Sequence, residues 1–167
     1  MLSIRPFRES DSFETLTVLL NRAYAELGEM RLNYTAVDQS AAVTAQRIEN
    51  GQCFIAEWDG GLVGTVLVKP TDVRSECAYF TRAGVASLRQ FGVDPNFRRR
   101  GIGLQLIQSC EDWARAHGFR ELALDTAKPA KHLVALYTRL GYAPVAVVQW
   151  PGKVYESVVL SKMLGEA

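Results

Sequence analysis

Val93-Asp94-Pro95-Asn96-Phe97-Arg98-Arg99-Arg100-Gly101-Ile102-Gly103 is the stretch that decides how this chain reads. An apolar strand, Ser87 to Val93, runs into a turn and then a basic, glycine-bearing loop. The helix that follows carries Ile102, Leu106, Cys110, Trp113 and Ala114 on one face. The first turn of a helix has backbone N–H groups with no intrahelical acceptor, and the aligned peptide dipoles add partial positive charge there. Glycine lets a phosphate come close to those groups, and Arg98, Arg99 and Arg100 supply screening charge. The order strand, loop, helix therefore predicts an anion cradle suited to a diphosphate.

Spacing excludes two other phosphate loops. A dinucleotide fingerprint needs a glycine three residues after Gly103, where Leu106 stands. A Walker loop needs Gly-Lys-Ser/Thr, and no such run follows. Arg98-x-x-Gly101-x-Gly103, preceded by Val93-x-Pro95, instead resembles the acyl-CoA pyrophosphate loop of the GNAT superfamily of N-acetyltransferases. Downstream, Ala135-Leu136-Tyr137-x-x-Leu140-Gly141-Tyr142 resembles the Leu-Tyr-x-x-x-Gly-Phe element of the same superfamily. The resemblance covers roughly residues 52 to 164, and the N-terminal part agrees in element order only.

The resemblance implies an α/β (α+β) fold in a single domain over residues 1–167. Its sheet would be mixed and mostly antiparallel, with about seven strands flanked by about four helices. It implies acetyl-CoA as co-substrate and transfer of the acetyl group to a primary amine by direct attack. The cofactor side would comprise Phe91, Gly92, Val93, Arg98, Arg99, Arg100, Gly101, Ile102 and Gly103. Phe91-Gly92-Val93 would offer backbone N–H groups to the pantetheine arm and the thioester oxygen, with Gly92 marking a bulge. Tyr137 maps to the general acid that protonates the departing sulfur, since a phenol keeps its proton near neutral pH. Periodicity alone reads Tyr137 as a core aromatic on the leucine face of its helix.

Some positions depart from the family pattern. Ala130 stands where an asparagine often touches the cofactor, Leu133 where a small residue is common, and Ser87 where some members carry a glutamate base. Lys131 or His132 would have to replace the lost polar contact, and the base stays unassigned among Glu29, Glu57, Glu76 and a water relay. The amine would enter from the side bounded by residues 28–39, 70–86 and 150–153. No motif there separates a small-molecule amine from a protein amine. The alternative is a non-catalytic acyl-CoA-binding module. Similar proteins often dimerise, so a homodimer stays open.

Bulk properties fit this reading. A length of 167 residues suits one domain, and 48% hydrophobic content rules out a largely disordered chain. A formal net charge of +1 argues against nucleic acid or an anionic membrane as the main partner. Cys53, Cys77 and Cys110 are widely spaced and odd in number, which predicts buried thiols and no metal site. No secretory leader or bilayer-length apolar run is visible, so a cytoplasmic enzyme is expected.

Elsewhere, Leu2 to Phe7 reads as a strand, and Ser10 or Asp11, with Glu14, as the cap of a helix ending near Gly28. Ser40 caps a second helix, Ala41 to Asn50, stopped by Gly51. Two strands, Cys53 to Trp58 and Leu62 to Val68, flank Asp59-Gly60-Gly61 as a hairpin. Thr71 to Ala86 is a long connection and Glu121 to Asp125 a fifth strand. Pro129 opens the helix that Gly141 closes, and a final hairpin, Val145 to Trp150 with Val154 to Met163, turns at Pro151-Gly152.

Overall fold

Ser12, one residue beyond the two expected caps, starts the first helix: its hydroxyl accepts from the Thr15 N–H at 3.1 Å. Asp11 is engaged otherwise, taking both Arg5 guanidinium nitrogens at 2.8 Å and the Arg8 N–H at 2.7 Å. The computed structural model describes residues 1–166. Its strands are β1 (Leu2–Pro6), β2 (Gln52–Trp58), β3 (Gly61–Lys69), β4 (Val85–Val93), β5 (Glu121–Ala127), β6 (Ala143–Val148) and β7 (Ser157–Met163). The helices are α1 (Phe13–Glu29), α2 (Thr35–Asp38), α3 (Ala41–Arg47), α4 (Ile102–Ala116) and α5 (Lys131–Arg139). The sheet order is β1-β2-β3-β4-β5-β7-β6. The pairs β1–β2, β2–β3, β5–β7 and β6–β7 are antiparallel, whereas β4 and β5 are parallel. This is the mixed, mostly antiparallel sheet expected, with five helices in place of four because α2 adds a single turn.

Contacts divide the chain into two units. The first comprises Met1–Val68 and Arg89–Cys110. Its core gathers Leu16, Leu19 and Leu20 of α1 with Ala36, Cys53, Ile55 and Leu67, all buried. Asp59 and Gly60, at φ 48 and 83, form a two-residue hairpin turn between the paired Trp58 and Gly61, which joins β3 itself. Ala56 and Gly64 face each other across β2 and β3. A side chain at Gly64 would come within 3.0 Å of Leu106 and 3.3 Å of Ile102, so two small residues let α4 lie close against the sheet.

α1 ends at Glu29, one residue past Gly28 and near the expected place. Its close belongs to Arg31, left-handed at φ 62, with Leu32 N–H bonded to the Leu27 carbonyl. Gly28 is small for packing: a Cβ there would meet Val37 at 2.9 Å. α3 is shorter than expected, and the left-handed residue after it is Asn50, not Gly51.

The second unit comprises Lys69–Leu88 and the residues from Glu111 onward. Cys77, Phe80, Val85, Ala123 and Val159 form its buried cluster, with Tyr79, Val148 and Trp150 packed on it. β7 begins only at Ser157, so the turn at Pro151-Gly152 sits in a longer loop than the sequence suggests. Trp150 holds that loop: its ring stacks on Phe80 (6.3 Å) and its Nε1 donates to Asp125 Oδ2 at 2.8 Å. The register of β4 with β5 covers Val85↔Glu121, Ala86↔Leu122 and Ser87↔Ala123 and stops before Leu88. Among the described residues, no helix is long and apolar enough to cross a membrane.

Candidate active site

Asp94 builds the turn that ends β4. It is buried; its N–H donates to the Val63 carbonyl at 2.8 Å, and its carboxylate accepts from the Asn96 N–H at 2.9 Å and pairs with Arg22 at 3.0 Å. A carboxylate there caps the single 3₁₀ turn Pro95–Phe97. Left-handed backbone at Arg99 (φ 63) and Gly101 (φ 77) then turns the chain into α4. Such turns set successive N–H groups into an anion-binding concavity. The first bond of α4 runs from Gln105 N–H to the Gly101 carbonyl at 3.2 Å, so the amides of the preceding turn have no partner within the helix. Nothing lies within 4 Å of where a Gly101 side chain would project. An open, left-handed glycine at a helix N-terminus fits a phosphate group.

The three arginines do not act alike. Arg98 is a clamp: Nη2 donates to the Ala23 carbonyl at 2.8 Å, Nη1 to Glu26 at 2.9 Å, and Nε lies 3.4 Å from the Val93 carbonyl. Its charge is partly offset by Glu26, and these bonds fasten the loop to α1. Arg100 lies 5.2 Å from the ring centres of both Trp58 and Phe97, a cation–π seat. Arg99 is exposed on the loop. The glycines divide likewise. Gly103, read above as a point of phosphate approach, has Phe91 where its side chain would be, 2.9 Å away.

Phe91, Gly92 and Val93 end β4 as expected, but the left-handed residue within that strand is Gln90, at φ 49, and not Gly92. A left-handed residue inside a strand marks a bulge. Gly92 is small for another reason: its Cβ would lie 2.9 Å from Ala23 on α1. Nothing in the sequence singles out Gln90, because glutamine has no preference for positive φ. Its carboxamide enters a buried chain with Gln39, Thr44 and Thr17 that sequence patterning also missed.

Tyr137 lies on α5, 6% exposed, with its ring edge-on to Tyr142 at 6.2 Å. The second motif is the close of that helix. Gly141 (φ 95) donates to the Thr138 carbonyl, and the Tyr142 N–H reaches back to the Tyr137 carbonyl at 3.0 Å. Tyr142 is then buried, its hydroxyl donating to Glu111 Oε1 at 3.0 Å, with Lys162 Nζ on the same oxygen at 2.9 Å. Lys131 and His132 are exposed on the first turn of α5.

Of the carboxylates considered as bases, Glu57 is committed to Arg5 at 2.7 Å, while Glu29 and Glu76 are exposed. Glu121 accepts from the Tyr79 hydroxyl at 2.5 Å and Ser161 at 2.8 Å. Burial works to raise its carboxyl, but those two bonds together with the charges of Arg82 and Arg120 outweigh it and the net shift is downward. Burial, reinforced by Glu121, raises Tyr79. Burial also pushes the Cys53 thiol up to about 11, against an opposing bond with Thr65. Cys53, Cys77 and Cys110 are all buried.

Residues 13–142 match the Acetyltransferase (GNAT) family. The chain belongs to the GNAT acetyltransferase family. The match reaches into the N-terminal helices, where sequence motifs gave element order alone. This GNAT protein is 26% identical over 153 residues to S-(2-succino)cysteine N-acetyltransferase of Bacillus subtilis (strain 168), covering 90% of each chain. It is 30% identical over 131 residues to N-acetyltransferase 8 of Homo sapiens, covering 78% of this chain and 54% of that one. It thus spans about half the length of the human relative. Among solved structures, a GNAT family acetyltransferase from Elizabethkingia anophelis with acetyl-CoA bound shares the fold at TM-score 0.69 and 16% identity, covering 98% of both chains. The chain is accordingly an acyltransferase of the N-acetyltransferase kind.

Proposed function

We propose that this GNAT enzyme moves an acetyl group from acetyl-CoA to a primary amine by direct attack, acting as one catalytic domain. The observation that carries the reading is the loop before α4, where left-handed Gly101 stands open beside a helix N-terminus. The CoA diphosphate would be held by the amides of Gly101, Ile102 and Gly103, with Arg99 as the exposed counter-charge and Arg98 and Arg100 shaping the loop. Phe91, Gly92 and Val93 would receive the pantetheine arm. The amine nitrogen attacks the thioester carbonyl carbon, the C–N bond forms, and the C–S bond breaks. Tyr137 Oη gives its proton to the departing thiolate, the attacking nitrogen loses its extra proton to water as the amide forms, and the phenolate regains a proton from water. The buried thiols support attack without an acyl-enzyme, since a cysteine nucleophile acts as thiolate and Cys53 is held protonated.

The acceptor is a small-molecule or protein amine. Because the Bacillus relative spans 90% of both chains, S-cysteine conjugates with a free amino group head the panel. The test is calorimetric titration with acetyl-CoA, with Arg99→Glu as a control that leaves the core untouched, followed by thiol release across the panel. Saturable binding, weakened about tenfold or more in the variant, supports the cradle. Absence of binding by well-folded wild-type protein removes the proposal.

A further inference from the structure

The chain of buried amides and hydroxyls between α1, α3 and β4 holds more than its own stability. Gln39 and Gln90 are each 6% exposed, Thr17 is 7% and Thr44 is sealed. Arg47 Nη1 donates to Gln39 Oε1 at 2.8 Å. Arginine has donors only, so this bond fixes the Gln39 amide with its oxygen toward Arg47 and its nitrogen toward the interior. Nε2 then donates to Thr44 Oγ1 and to Gln90 Oε1, both at 2.8 Å. The Thr44 and Thr17 hydroxyls are hydrogen-bonded at 2.6 Å, and Thr17 donates to the Phe13 carbonyl at 2.7 Å. Both amide protons and the oxygen of Gln39 are thereby used.

Gln90 meets this network from a left-handed backbone, at φ 49. A non-glycine residue in that region is strained and stays there only where its surroundings demand it. Were Gln90 to relax to extended backbone, the residues after it would change faces. One Gln39 amide proton would then be left unpaired in the interior. The segment that follows has no tolerance for that slip. Phe91 fills the space beside Gly103, and Gly92 faces Ala23 where not even a Cβ fits.

We propose that Gln39 is a positioning residue: its hydrogen bond holds Gln90 left-handed and so locks the face register of Phe91-Gly92-Val93, the segment assigned above to the acyl donor. This rests on the function proposed above for that segment, and it ties the α2–α3 corner to acetyl transfer through one amide pair.

The test is a cycle of Gln39→Leu, Gln90→Gly and the double variant, with thermal melting to score folding. Gln39→Leu should lower kcat about tenfold, with affinity for CoA itself within threefold, because the cradle is left intact. On the Gln90→Gly background the same change should cost less than about twofold, since glycine takes positive φ unaided. Equal losses on both backgrounds, or no loss on either, overturn the proposal. Should Gln39→Leu not fold, Gln90→Ala is compared with Gln90→Gly: glycine should exceed alanine in kcat by about fivefold or more, and parity overturns it. The three-bond HN–Hα coupling of Gln90, in wild type and Gln39→Leu, reads φ without any cofactor. It should move from left-handed to extended, and an unchanged value overturns the lock. That readout stands even if no amine is turned over, so failure of the enzyme reading and failure of the lock are separable.

Discussion

Arg98→Met separates a phosphate ligand from a clamp. The side chain makes a charged hydrogen bond to the Ala23 carbonyl at 2.8 Å and a pair with Glu26 at 2.9 Å. A hydrogen bond from a charged group contributes about 1.5–3 kcal/mol. The Glu26 pair is screened, with side chains 35% and 48% exposed, and adds about 0.5 kcal/mol. The 3.4 Å approach to Val93 is too long to add much. The variant should therefore lose about 2–3 kcal/mol, which for a chain of this size lowers Tm by roughly 5–10 °C. Glu26→Gln should lose only the small part, about 0.5 kcal/mol. Scanning calorimetry with and without acetyl-CoA reads both numbers. If Arg98→Met melts within about 1 °C of wild type while acetyl-CoA binding weakens tenfold or more, the guanidinium serves the ligand and the clamp argument is wrong.

Tyr137→Phe should lower kcat by about a hundredfold or more while acetyl-CoA affinity stays within twofold, and equal turnover would remove the acid role. Gly92→Ala places a Cβ 2.9 Å from Ala23 and should cost about 1–3 kcal/mol in denaturant unfolding, whereas a neutral result would mean α1 moves away freely. Asp11 is held down to about 2 by its bonds from Arg5, against burial. A folded-state pKa below the unfolded value near 3.8 gives stability that is present above pH 4 and lost as pH falls through about 2. Asp11→Asn should thus be less stable than wild type by about 2 kcal/mol at pH 7, with the gap closing between pH 4 and pH 2. A gap that does not change with pH would place the effect in packing.

Much of the fold was legible because the signals were periodic or local. The leucine face of α1, the turn at Asp59-Gly60 and the leucine face of α5 are each written in adjacent residues. What could not be read depended on partners far along the chain. That Arg98 reaches the Ala23 carbonyl and Glu26 is visible only once α1 is beside it. Gly28, Gly92 and Gly103 read as a helix end, a bulge and a point of phosphate approach; that Val37, Ala23 and Phe91 take the space a side chain would need is visible only in the fold. Asp11 has the right chemistry to cap α1, but Arg5 and the Arg8 amide take it, and Ser12 caps instead. Gln90 gave no signal at all, since its conformation comes from Gln39 and not from its own preference.

The contact between Phe91 and Gly103 has a consequence for how this loop can vary. The ring of one residue occupies the room the other leaves empty, so the two positions draw on a single reserve of volume. In any descendant of this chain a side chain gained at 103 has to be matched by the Phe91 ring moving or shrinking, whereas a smaller residue gained first at 91 meets no clash. Inheritance at these two sites is therefore expected to be paired, and a library that randomises them together should yield active clones that one randomising either alone cannot reach.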